Sequence, residues 1–78
     1  MFGKRLRDTR LKKGYTQQKM ADMLGIALRS YQKYEQGERQ PSLSTLVHIS
    51  DILNVPTDYL LCRDSYLMSL GVSFDVFL

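Results

Sequence analysis

The chain is predicted to be all-α, a bundle of five short helices, and three observations predict it. Apolar residues recur at three- and four-residue spacing through most of residues 2–61. Helix-stopping residues Gly14, Gly37, Pro41 and Asn54 cut that pattern into segments of about three turns. The run from Thr16 to Pro41, TQQKMADMLGIALRSYQKYEQGERQP, reads as two short helices around a tight turn at Leu24-Gly25-Ile26.

The first helix is predicted over Phe2 to Lys13, ending at Gly14, with Phe2, Leu6, Thr9 and Arg10 on one face and Leu11 beside it. Thr16 can cap the second helix, because its hydroxyl accepts a free backbone N–H, although Lys19 does not complete a capping box. Met20, Ala21 and Leu24 form the inward stripe, and small Ala21 lets a neighbouring helix approach closely. Ile26 is an apolar plug behind the turn. The third helix spans Leu28 to Gln36 and stops at Gly37; its N-cap, Ala27, should cost about 1 kcal/mol relative to Ser or Thr. Ser42 caps a fourth helix, Leu43 to Leu53, with an expected inward stripe of Leu43, Leu46, Val47, Ser50 and Leu53. A short fifth helix follows Val55-Pro56-Thr57, from Asp58 to about Cys62, with Tyr59, Leu60 and Leu61 offered to the core.

Seventy-eight residues suffice for one domain with a small core. Hydrophobic content of 44% and charged content of 24% describe an ordinary globular chain rather than a disordered one. No apolar run is long enough to cross a bilayer. Phe2 is followed at once by Gly3, Lys4 and Arg5 rather than by a signal-peptide stretch, so the expected compartment is cytoplasmic. Cys62 has no partner for an internal disulfide, and neither it nor His48 has a neighbour at metal-ligand spacing. No nucleophile-and-base arrangement is visible, so the chain is expected not to be an enzyme and to need no cofactor.

The net charge of +3 conceals an asymmetry. Residues 1–40 hold ten of the eleven Lys and Arg but four of the eight acids, a charge of +6; residues 41–78 carry one Arg against four acids, −3. A positive half suits contact with a polyanion, the alternative being solvated helix faces. The third helix sharpens this, since Tyr31 and Tyr34 lie on one side and Leu28, Arg29, Gln32, Lys33 and Gln36 on the other. The two tyrosines could stack on bases, but their spacing on the apolar side favours core packing.

Taken in order, Leu6 and Arg10, Thr16-Gln17, Ala21, Leu24-Gly25-Ile26, Tyr34-Glu35-Gln36-Gly37, Pro41-Ser42 and Val55-Pro56-Thr57-Asp58-Tyr59-Leu60-Leu61 make the chain similar to a known family. It resembles the Cro/C1-type (XRE-like) helix-turn-helix family of phage repressors and small bacterial regulators, over residues 2–61. The resemblance implies a lambda-repressor-like DNA-binding domain at 1–62, with the helix-turn-helix at 16–36, and a sequence-specific transcriptional regulator of double-stranded DNA. The third helix would enter the major groove. There Arg29 could bond guanine O6 and N7 together, Gln32 could pair with adenine, Lys33 could reach a guanine or a phosphate, and Leu28 could pack on a thymine methyl. In the family the position of Gln17 bonds a backbone phosphate and braces the recognition helix, and the Arg10 and Glu35 positions form a structural ion pair. Gln36 and Arg39 are expected phosphate contacts.

Residues 63–78, RDSYLMSLGVSFDVFL, form an apolar tail. Tyr66 to Leu70 could extend a helix, and Val72, Phe74, Val76 and Leu78 alternate as in a strand. Two uses stay open, self-association into a homodimer or folding back over the chain's own core. A homodimeric repressor reading a palindromic operator is the leading expectation. The alternatives are an antitoxin that also binds a toxin, or an interaction module with weak DNA binding; the protein partner would be a toxin or an antirepressor.

Overall fold

The computed structural model describes residues 2–63 and 69–71. These form five helices in chain order, α1 (Phe2–Lys12), α2 (Gln17–Leu24), α3 (Leu28–Gln36), α4 (Leu43–Leu53) and α5 (Thr57–Leu60), with no strand among the described residues. The all-α expectation therefore holds. What was expected of residues 64–68 and 72–78 lies outside the described residues.

One local device ends every helix. The residue one or two positions past each end, Gly14, Gly25, Gly37, Asn54 or Cys62, adopts a left-handed conformation with φ between 55° and 81°. Its own amide and the next one then bond back onto the last turn. At the α2 end, Ile26 N–H reaches Ala21 O at 3.0 Å and Gly25 N–H reaches Asp22 O at 3.2 Å. This pair of bonds satisfies carbonyls that a helix end otherwise leaves open. Glycine adopts the conformation without a Cβ clash, which is why three glycines mark boundaries so legibly. At the starts, Thr16 accepts from Lys19 N–H and Ser42 from Thr45 N–H, whereas Ala27 supplies no side-chain cap to α3.

The core consists of Leu6, Met20, Ala21, Tyr31, Tyr34, Leu46, Ile49, Leu53, Val55, Tyr59 and Leu60. Helix α3 packs against both α1 and α2, α4 packs against α2 and α5, and α5 returns to α1. Tyr31 is fully buried and meets Tyr34 edge-to-face, with ring centroids 6.4 Å apart. Thr9, also buried, donates its hydroxyl to Arg5 O at 2.7 Å, so its polar atom is satisfied inside. Arg5 lies 4.5 Å from the Tyr59 ring centroid and donates to Tyr59 O, tying α1 to α5.

The structure corrects the expected core at three places. In α4, Ile49 is buried, while Leu43 and Val47 are 82% and 53% exposed. The inward stripe is Leu46, Ile49 and Leu53, rotated by one residue from the expected one. Leu43 stands in the first turn, beyond the edge of the bundle. Ser50 remains half-buried because its hydroxyl donates to Val55 O. Leu61 is 46% exposed, because α5 stops at Leu60 and the left-handed Cys62 diverts the chain. Leu11 is 54% exposed, on the outer side of α1.

Helix α1 comes unusually close to the end of α3. A Cβ placed on Gly3 would lie 2.5 Å from Glu35 O and 2.9 Å from Tyr34 O, both backbone atoms that cannot swing aside. Alanine is the better helix former by about 1 kcal/mol, so propensity alone favours Gly3→Ala. The clash should win: Gly3→Ala is expected to lower stability by about 1–3 kcal/mol in urea or thermal unfolding.

Candidate nucleic-acid interface

The turn between α2 and α3 sets the site. Gly25 reverses the chain, Ile26 is half-buried behind it, and Ala21 is fully buried where the helices meet. With Tyr31 and Tyr34 turned inward, the opposite side of α3 must face out. Arg29 and Gln36 are exposed, and Gln32 and Lys33 are half-exposed. Leu28 is half-buried and packs against the core, so part of its surface is committed to folding. Arg39 is exposed in the loop after α3, beside a shallow hollow that it lines with Gln36, Lys4 and Phe2.

Beneath this surface lies a continuous polar chain. Glu35 accepts from Arg10 Nε at 2.6 Å and from Arg10 Nη2 at 3.2 Å, while Arg10 Nη1 donates to Tyr15 O at 2.9 Å. The side chains of Arg10 and Glu35 are 7% and 3% exposed. Tyr31 donates its hydroxyl to the same carboxylate. Gln17 Nε2 also donates to Glu35, at 3.0 Å, and Gln32 Nε2 donates to Gln17 Oε1 at 3.1 Å. Four of the residues singled out from the sequence, Arg10, Gln17, Gln32 and Glu35, are thus bonded into one unit spanning α1, α2 and α3.

Two residues of this region have roles that the sequence reading does not assign. Tyr31 reads as core in preference to a base-stacking ring, and nothing in its spacing signals that its hydroxyl would complete the carboxylate's shell. Arg7 lines a polar surface hollow with Arg10, Gln17, Glu35 and Gln36. Its signal was available, because Arg7 lies three residues before Arg10, on an adjacent part of α1. Charge counting also overstated the free cations, since Arg5 and Arg10 are both engaged within the fold.

The electrostatics follow from burial and bonding. Burial pushes the Glu35 carboxyl upward, but hydrogen bonds from Arg10, Tyr31 and Gln17 outweigh it and hold the group below its ordinary 4.5. The bond to Glu35 raises Arg10 against the opposing effect of burial. Burial first, then the bond to Glu35, pushes the Tyr31 hydroxyl well above its ordinary 10.0. The site therefore holds a carboxylate, a guanidinium and a neutral phenol over the ordinary working range. By contrast, the Arg63–Asp58 pair, at 3.1 Å, is solvent-accessible and worth little.

Removing one partner of a buried pair strands the other's charge. Arg10→Ala should cost about 3–5 kcal/mol in chemical denaturation, a folding defect rather than a loss of surface contact. Because Glu35 is depressed in the folded state, its contribution is present above pH 4.5 and lost as pH falls through its lower folded value. The stability gap between wild type and Glu35→Gln should accordingly be constant near neutrality and narrow below that pH. Denaturation midpoints measured across an acid series would show it.

Comparison with known proteins places this geometry. A family model described as helix-turn-helix matches residues 6–60. The prophage-derived HTH-type transcriptional regulator YonR of Bacillus subtilis is 56% identical over 61 residues, covering 78% of this chain and 56% of that protein. The CTXphi phage transcriptional repressor RstR of Vibrio cholerae is 50% identical over 48 residues, 62% of this chain and 43% of that protein. The chain spans about half the length of these curated relatives. Among solved structures, the restriction-modification controller protein C.AhdI of Aeromonas hydrophila superposes with a TM-score of 0.70 at 30% identity, covering 76% of this chain and 89% of that one. A Listeria innocua transcriptional regulator at 21% identity and TM-score 0.72, covering 96% and 80%, shows the same fold. With its motif, its helix arrangement and these relatives in agreement, the chain belongs to the Cro/C1-type helix-turn-helix family.

Proposed function

We propose that the chain binds double-stranded DNA sequence-specifically and regulates transcription, as a homodimeric repressor of a palindromic operator. One observation carries this reading: α3 buries Tyr31 and Tyr34 and turns Arg29, Gln32, Lys33 and Gln36 outward. A helix presented in this way fits the major groove, where base edges carry a full donor and acceptor code. Arg29 is the direct reader, suited to guanine O6 and N7. Gln32 and Lys33 follow one turn along, and the exposed edge of Leu28 can meet a thymine methyl. Gln17, Gln36 and Arg39 take backbone phosphates, fixing register without reading sequence.

Two further points favour the dimeric repressor. RstR is by name a phage repressor, and YonR is by name prophage-derived. Leu43, Val47 and Leu61 leave apolar surface on α4 and just past α5, apart from the α3 face. Pairing of copies would cover such surface and set two recognition helices about 34 Å apart, one helical turn of DNA.

Selection of bound duplexes from a random pool should return a symmetric site. Affinity for that site should fall steeply with salt, each phosphate contact adding about 0.9 to the log–log slope. Arg29→Ala should remove about 1–3 kcal/mol of discrimination at one base pair per half-site while leaving nonspecific binding in place. Binding without salt dependence, or an Arg29→Ala variant with unaltered preference, would overturn the proposal.

A further inference from the structure

The direction of every hydrogen bond in the polar chain beneath α3 is dictated by chemistry. An ionised carboxylate accepts and never donates, so Glu35 can take Gln17 only through its NH2 group. The Gln17 carbonyl oxygen must then point away from Glu35, and it meets Gln32. Facing a carbonyl, Gln32 must in turn present its own NH2 inward. A glutamine side chain free in water has no such constraint, because its two ends are nearly equal in shape. Here both amides are oriented by an anion one and two hydrogen bonds away. What Gln32 retains for the outside is its carbonyl oxygen and its second N–H.

We propose that Glu35 is a specificity-positioning residue: acting through Gln17, it fixes Gln32 with an acceptor and a donor displayed together, the complement of adenine. Adenine offers N7 as acceptor and N6–H as donor in the major groove, whereas guanine offers two acceptors, N7 and O6. A carbonyl held outward meets N6–H favourably and O6 unfavourably, so the fixed amide selects adenine over guanine. The proposal rests on the DNA-binding reading above and adds to it the origin of one base preference. It also divides the labour within the ion pair. Arg10 neutralises the carboxylate and joins α1 to α3, while the remaining acceptor capacity of Glu35 sets the polarity of the surface.

Glu35→Gln tests this, because glutamine nearly matches the shape but can donate as well as accept. With its NH2 towards Gln17, the chain reverses: Gln17 turns its carbonyl inward, Gln32 does the same, and two N–H groups face the groove. At the base pair whose preference disappears in Gln32→Ala, the wild-type bias for adenine over guanine should fall roughly fivefold or more in Glu35→Gln. Preference at the Arg29 base pair and the salt slope should be unchanged, which a merely destabilised fold would not achieve. The double variant Glu35→Gln, Gln32→Ala should match Gln32→Ala alone. A uniform loss at all base pairs, or additive effects in the double variant, would overturn the proposal.

A DNA-free measurement stands apart from the fate of the Glu35→Gln variant. In proton–nitrogen spectra of the wild-type chain, the side-chain amide of Gln32 should show one hydrogen-bonded proton, and that signal should return to a solvent-like position in Gln17→Ala. An amide signal at the solvent position in the wild type, indifferent to residue 17, would refute the fixed orientation. If instead that signal behaves as expected and no duplex is selected, the orientation stands, while the DNA-binding reading and the base preference built on it fall.

Discussion

Everything in this small fold is organised around a buried ion pair between α1 and α3. Arg10 and Glu35 are almost wholly withdrawn from water, which by itself is unfavourable for both charges. The arrangement is tolerable because their strong bonding positions are filled by Tyr15 O, the Tyr31 hydroxyl and Gln17. Among the described residues no buried side-chain polar atom lacks a partner. Such a pair contributes less through net energy than through geometry, since it is satisfied in only one mutual placement of α1, α2 and α3. The surface of α3 inherits that placement.

The same logic explains why α3 can be core on one side and the proposed interface on the other. Nine residues are barely two and a half turns, so each side must serve a single purpose. Tyr31 does most of the joining: its ring fills the centre of the core, and its hydroxyl reaches the carboxylate that orients the outer amides. Close backbone approach at Gly3 then seats the C-terminal end of the same helix against α1. Helix α3 is thus fixed at its centre and at its C-terminal end.

Much of the fold was legible in the chain because its boundaries are written locally. Thr16, Gly25, Gly37, Ser42 and Asn54 act through bonds to residues within a turn, so their effects need no knowledge of the tertiary structure. The rotation of α4 was harder. Val47 and Ile49 are both β-branched apolar residues two positions apart, and only the docking of α4 on α2 and α5 decides which is covered. The early end of α5 depended on a cysteine adopting a left-handed conformation, which composition does not announce. In the site, periodicity separates the tyrosines from Arg29, Lys33 and Gln36. It does not show that residues 10, 17, 32 and 35 share one polar chain. The pairing of Arg10 with Glu35 enters through family resemblance, and the link to Gln32 is visible in the coordinates alone.

The shared mode of termination carries a consequence for how the molecule holds together. The helices are 11, 8, 9, 11 and 4 residues long, each below the roughly 12–15 residues at which an isolated helix becomes even marginal in water. Their stop signals are autonomous, but their persistence is borrowed from neighbours. A peptide cut out as the α2–turn–α3 unit would keep its punctuation and lose Leu6, Arg10 and Ile49, and with them the means to stay helical. The unit by which such a chain evolves, is transplanted between proteins or is safely dissected is therefore the whole five-helix bundle rather than the motif that names the family.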